Sequence, residues 1–328
     1  MLDVFRVAYR GIGDDLAYER SLLDAWGVAG RLDLANVDDL AADDAALTRI
    51  LAPFDALVTE GVTLSGSLLR SLPRLRVVAL QSIGTNTVDV ATAGELGVEV
   101  SNAPGYCTQE VAAHAVGMIL DLARRITFYD RAVQAGEWEP LPAGAPLPIR
   151  LSGRSVGLVF FGGIPQQMVA ALVALGMHVL VYAPTRAAGE LARWPVEKVE
   201  TLDELLRRSD FVSLHSPLVE ATRDLIGERE LGLMKSSAAL INTARGGVVD
   251  EDALVEALVS GRIAAAAVDV IADESTASTR LRGLANVIIT PHVAYLSEES
   301  FRQAREMALR SVVDVLVDER ASRYRVSR

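Results

Sequence analysis

The stretch SVGLVFFGGIPQQMVAALVAL, residues 155–175, decides the fold. Seven β-branched, apolar or small residues lead into a Gly162-Gly163 turn, and an apolar, alanine-rich run with helical spacing follows. Strand, tight turn and helix in that order form the opening of a dinucleotide-binding βαβ unit. Such a turn uses glycines at three places: for the bend, for close approach to the pyrophosphate, and for helix–strand packing. Only the middle one is present, as Gly162. Phe160 stands at the first place and Pro165 at the third, with Gly163 and Ile164 between. Pro165 is tolerated in a first helical turn, where a missing N–H costs little. Phe160 brings a Cβ and a ring to the bend. Taken alone, the segment also reads as an ordinary strand–turn–helix.

The same rhythm extends in both directions. Strands are predicted at residues 5–8, 56–58, 77–80, 155–160, 178–182, 211–214, 239–242, 267–270 and 287–290. Helical patterns lie between them, at 15–26, 66–71, 166–175, 202–208 and 251–260. The longest unbroken pattern runs from about residue 108 to 134, and another covers 297–318. Alternating strands and helices predict an α/β protein with parallel, doubly wound sheets. Residues 139–151 hold Pro140, Pro142, Pro146 and Pro148 and read as a surface connection.

Composition narrows the function classes. The 328 residues carry 32 Lys and Arg against 43 Asp and Glu, a net charge of −11, which disfavours nucleic acid or an anionic membrane as partner. No apolar run approaches the roughly 20 residues of a spanning helix. Asp3, Arg6 and Arg10 interrupt any signal-peptide core, so a soluble, cytoplasmic protein is expected. Cys107 is the single cysteine, and with four histidines it is a poor stock for a structural zinc site, so no metal is expected.

Chemistry concentrates in the last third. INTARGG places Arg245 after one strand, AVDVIADE puts Asp269 on a strand with Glu274 beyond its end, and IITPH puts His292 after another. Ligands bind at the carboxyl ends of strands in open α/β sheets. An arginine, a carboxylate and a histidine there form an anion clamp, an orienting group and a proton donor. After the second strand, VLVYAPTR has Ala183 where an acid would accept the adenosine ribose hydroxyls. Thr185 and Arg186 follow, and Arg186 suits a 2′-phosphate or, equally, a solvated loop.

Taken together, SIGTNTVDV (82–90), NAPGYCTQEVAAHAVGMILDLARR (102–125), VGLVFFGGI, VSLHSPLVEATRDLI, INTARGGVVDEDAL, AAVDV and IITPH resemble the D-isomer-specific 2-hydroxyacid dehydrogenases, in that family's order and spacing. PHVAYLSEES further resembles the branch containing the C-terminal-binding protein corepressors, which keep an aromatic residue where Tyr295 stands. The resemblance implies two Rossmann-like domains with an active cleft between them. A substrate domain would comprise residues 1–102 plus 296–328, and a dinucleotide domain 103–295. It implies His292 as general acid/base, Glu274 as its partner and Arg245 as the clamp on a 2-oxo acid. Ser82, Ile83, Gly84 and Tyr295 would bind substrate. Thr108, Gly162, Gly163, Ile164, Thr185, Arg186, His215, Pro217, Thr243 and Asp269 would hold NAD or NADP, with NADP favoured, and residues 108–131 would form a homodimer surface.

The activity implied is hydride transfer between a nicotinamide and a small 2-oxo or 2-hydroxy acid. Phe160 and Pro165 depart from the family turn, as Ser275 does from the proline that follows the glutamate. These departures put cofactor affinity in doubt and leave open a binding or scaffold protein, or a lyase or isomerase on the same fold.

Overall fold

The computed structural model describes residues 3–10, 15–37, 43–138 and 147–326. Among the described residues there are twelve strands: β1 Phe5–Arg10, β2 Leu32–Asn36, β3 Ala56–Thr59, β4 Val77–Leu80, β5 Glu99–Ser101, β6 Ser155–Val159, β7 His178–Tyr182, β8 Glu197–Lys198, β9 Phe211–Leu214, β10 Ala239–Asn242, β11 Ala265–Val268 and β12 Val287–Ile289. They form two sheets, ordered β2-β1-β3-β4-β5 and β12-β11-β10-β9-β6-β7-β8. Every pairing within them is parallel.

Residues 1–106 with 297–328 make one compact unit and residues 107–296 the other. Helices cover both faces of each sheet, so the central strands β3, β4, β9 and β10 are buried at every residue. In the first unit the helix Glu298–Leu316 lays Ala308, Leu309, Val312, Val313 and Leu316 on the face formed by Val7, Tyr9, Val58 and Ala79. Its Arg305 makes a bidentate, buried pair with Glu19 at 2.6 Å for each contact, anchoring the helix to Ala17–Ala25.

The second sheet reverses its winding between β6 and β9. From β6 the chain passes outward to β7 and β8, then returns to the other side of β6 for β9 through β12. A crevice beyond the carboxyl ends of strands is expected at such a switch point. Phe160–Gly162 follow β6 and His215–Pro217 follow β9, so both segments flank it.

Three expectations change. The helix expected over 108–134 is two helices, Thr108–Arg124 and Ile126–Gln134, separated by Arg125 at φ 57°. The Asp121 carboxylate accepts both the N–H of Thr127 (2.8 Å) and its hydroxyl, so the second helix starts on a side-chain cap that interrupts the first. The strand expected at 267–270 lies two residues earlier, at Ala265–Val268, so Asp269 follows the strand instead of lying on it. Strands β2, β5 and β8 are additional. Residues 139–146 of the proline-rich connection lie outside the described residues.

Candidate active site

Arg245, Glu274 and His292 follow β10, β11 and β12, three neighbouring strands of one sheet, all on the carboxyl-end side. Asn242, the last residue of β10, shapes the arginine turn. Its Oδ1 accepts the Ala244 N–H at 3.0 Å and its Nδ2 donates to the Arg245 carbonyl at 2.9 Å. Gly246 then brings this turn against the segment leading to Glu274. A Cβ at Gly246 would lie 1.8 Å from the Ile271 carbonyl oxygen, so only glycine permits the approach.

Asp269 organises the histidine loop. Its backbone carbonyl accepts the His292 N–H at 2.7 Å. Its carboxylate accepts the N–H groups of Val293 and Ala294, each at 2.9 Å, together with the Thr290 hydroxyl. His114, from the helix Thr108–Arg124, meets that hydroxyl through Nε2 at 3.1 Å. These contacts hold His292 at φ 53°, a left-handed conformation costing a non-glycine residue about 1–2 kcal/mol. The ring is thereby turned so that Nδ1 lies 2.8 Å from Glu274 Oε2, and Tyr295 packs edge-on against it with centroids 6.0 Å apart. The His292 side chain stays 40% exposed. With Nδ1 committed to the carboxylate, Nε2 is the ring nitrogen on the other side.

The turn after β6 keeps the backbone that its first glycine would adopt, with Phe160 at φ 69°. The Phe160 ring is half-buried and packs on the apolar cluster that includes Val159 and Leu214. Gly162 is the N-cap of the helix Gly163–Ala174, and a Cβ there would meet no atom within 4 Å. Thr108 lies against Gly163, its Cγ2 3.4 Å from where a Cβ would stand. Pro165 sits buried in the first turn, where the N–H groups of Gly163 and Ile164 have no intrahelical partner. Beyond β9, His215 Nε2 meets Ser213 Oγ at 3.0 Å, and the Pro217 carbonyl accepts the Thr222 hydroxyl at 2.6 Å. The hydroxyls of Ser216 and Thr243 are buried and, among the described residues, have no protein partner. An open cradle over Gly162, free N–H groups at a helix start and orphaned hydroxyls beside the switch point fit a bound dinucleotide. Thr185 and Arg186 lie exposed after β7, and Ala183 is buried.

In the first unit, Ser82, Ile83 and Gly84 form the loop after β4. Its carbonyls are used internally. Ser82 Oγ donates to the Gly84 carbonyl at 2.9 Å, Asn102 Nδ2 to Ile83 at 2.8 Å and the Ala103 N–H to Ser82 at 2.9 Å. Among the described residues, the N–H groups of Ile83 and Gly84 meet no protein acceptor.

Sequence reasoning missed several contributors: Asn242, Gly246, His114 and Thr290. The asparagine directly before TARGG carried a usable signal, since Asn bonds the backbone two residues on. Nothing local marked Thr290 or His114, which meet across 176 residues of chain.

Comparison with known proteins agrees with this geometry. Residues 116–294 match the family described as D-isomer specific 2-hydroxyacid dehydrogenase, NAD binding domain. A glyoxylate reductase of Thermococcus litoralis is 37% identical over 261 residues, 78% of this chain and 78% of that protein. A hydroxypyruvate reductase of Thermotoga maritima is 36% identical over 261 residues, 78% of this chain and 83% of that one. The structure of D-lactate dehydrogenase with NAD+ from Lactobacillus jensenii superposes with a TM-score of 0.79 at 27% identity, covering 98% of this chain and 100% of that one. The chain belongs to the D-isomer specific 2-hydroxyacid dehydrogenase family. It is an oxidoreductase of 2-hydroxy acids and their 2-oxo counterparts, with a nicotinamide dinucleotide as cofactor.

Proposed function

We propose that the protein reduces a small, non-phosphorylated 2-oxo acid of the glyoxylate or hydroxypyruvate kind, or oxidises the matching D-2-hydroxy acid, with His292 as the general acid/base. The observation that carries this reading is the His292–Glu274 contact of 2.8 Å, on the strand end next to Arg245's neighbour β11. Glu274 accepts from Nδ1–H and fixes the tautomer and orientation of the ring. Nε2 then donates a proton to the carbonyl oxygen in reduction, and takes the hydroxyl proton in oxidation. Arg245 offers a planar, two-point fork to the carboxylate and polarises the carbonyl. In the other unit, the N–H groups of Ile83 and Gly84 are donors suited to an anion, with Ser82 holding their loop.

A nicotinamide, when bound, supplies the hydride that passes to the substrate's C2. The residues that would hold the dinucleotide are Thr108, the Gly162–Ile164 turn, Thr185, Arg186, His215, Pro217, Thr243 and Asp269. Both NADH and NADPH are expected to serve, with NADPH favoured by Arg186. A second copy of the chain is the expected partner, through residues 108–131.

Substrate charge is read from the segment 50–69, which contains no Lys or Arg and places Glu60 directly after β3. The nearby arginines are engaged elsewhere: Arg70 pairs with Glu95 (3.4 Å), Arg74 with Asp55 (3.1 Å), and Arg76 stacks on Phe5. The test is a panel of 2-oxo acids with each reduced dinucleotide. Glyoxylate or hydroxypyruvate should give the highest kcat/KM. A phosphorylated 2-oxo acid exceeding all others by about a hundredfold, nearly 3 kcal/mol of discrimination, would overturn the substrate reading.

A further inference from the structure

Strand β7 ends at Tyr182, and the segment after it carries Ala183 in place of a ribose-binding carboxylate. A carboxylate is nevertheless held against the same loop, from the short helix Ala188–Leu191 that follows it. The Arg186 N–H donates to the Ala183 carbonyl at 3.1 Å, closing a four-residue turn in which Pro184 presets the backbone. Four residues after Arg186, Glu190 reaches back. Its Oε1 accepts the Ala187 N–H at 3.0 Å and its Oε2 accepts from the Arg186 guanidinium at 3.1 Å. The Ala187 N–H and Arg186 together hold the Glu190 carboxyl below the usual carboxylate range, so it is ionised at neutral pH. Both side chains are open to solvent, 43% and 49% exposed.

We infer that Glu190 is a specificity-determining residue for the dinucleotide, an inference that rests on the dehydrogenase reading above. A 2′-phosphate recruited by Arg186 must share the guanidinium, one nitrogen of which is bonded to Glu190, and sit near that carboxylate's negative charge. A free 2′-hydroxyl meets no such repulsion, and a carboxylate is a ready acceptor for it. Arg186 and Glu190 therefore pull in opposite directions from one loop. An exposed ion pair is weak and is broken at little cost, so the device moderates the preference for NADPH without abolishing it.

The test is the dissociation constant of NADH and of NADPH, by calorimetry at fixed ionic strength, for the wild-type protein, E190Q and R186A. Glutamine keeps an oxygen for the Ala187 N–H and removes only the charge, so a role limited to capping the short helix Ala188–Leu191 would leave the ratio of the two constants unmoved. The expected result is that E190Q shifts that ratio toward NADPH by about two- to fivefold, the range an exposed pair carries. R186A should shift it the other way. Both dinucleotides binding to wild type and E190Q with an unchanged ratio would overturn the inference while leaving the dehydrogenase reading intact. Failure of the wild-type protein to bind either one would overturn both.

Discussion

Asp269 holds His292 in a left-handed backbone conformation: its carbonyl takes the His292 N–H at 2.7 Å, and its carboxylate takes the next two N–H groups at 2.9 Å each. The histidine at φ 53° is a strained residue kept in place by a buried acid, and the strain aims Nδ1 at Glu274. The His292 ring is therefore set by two carboxylates, one through the backbone and one through the side chain.

Glu274→Gln should separate orientation from folding. The amide can present its NH2 group to Nδ1, which favours the wrong tautomer. The expected outcome is a fall in kcat of at least about tenfold, within what a mispositioned acid forfeits, with KM and the thermal midpoint nearly unchanged. Glu274→Asp should recover part of the loss. Steady-state kinetics and a melting curve check it, and a KM effect without a kcat effect would count against the orienting role.

Arg245→Lys should also be severe, because an ammonium cannot reproduce the planar two-point contact. Loss of one charge-assisted hydrogen bond corresponds to about 10- to 100-fold in kcat/KM. A near-normal kcat/KM would mean that the carboxylate is held elsewhere.

Gly246→Ala places a Cβ within 1.8 Å of the Ile271 carbonyl oxygen, a backbone atom that cannot swing away. The Arg245 and Glu274 segments must then part. The expected cost is about 1–3 kcal/mol of stability, as for overpacking generally, with activity lost more steeply than stability. Denaturant titration beside an activity assay measures both.

Much of this was legible in the sequence, for a physical reason. Strands β3, β4, β9 and β10 are interior and buried at every residue, and so appear as largely apolar runs. Strands β2, β5 and β8 are sheet edges. β5 and β8 are short and partly polar (EVS, EK), so no hydrophobic pattern announces them, whereas β2 (LDLAN) carries a brief apolar–polar alternation that went unread. The alanine run of β11 has no β-branched residue until Val268, which pulled the expected strand two residues late. The break at Arg125 is invisible to periodicity because the cap at Asp121 is a side-chain event. The three strand-end groups were readable because each lies a short way past the end of an apolar strand. The bridge from His114 through Thr290 to Asp269 was not, because it is made only by tertiary packing.

His215 gives the protein a predictable acid limit. Burial pushes its imidazole down to about 3. The folded state thus keeps it neutral between roughly pH 6.5 and 3, while the unfolded chain binds a proton in that window. Its contribution to stability is complete above about pH 6.5 and declines as the pH falls toward 3. The wild-type stability curve minus that of His215→Gln, from urea titrations, should slope downward with acidification across that interval. A flat difference would show that the imidazole is solvated in the folded state.

The central claim is that His292 exchanges the substrate proton, and the direct measurement is kcat for 2-oxo acid reduction in His292→Ala, taken with NAD(P)H affinity on the same sample. The account predicts a loss of about 10²–10⁴-fold in kcat with dinucleotide affinity and fold intact. A variant that binds the dinucleotide and retains more than about a tenth of the wild-type kcat would contradict it, since no general acid of that rank can be removed at so small a cost.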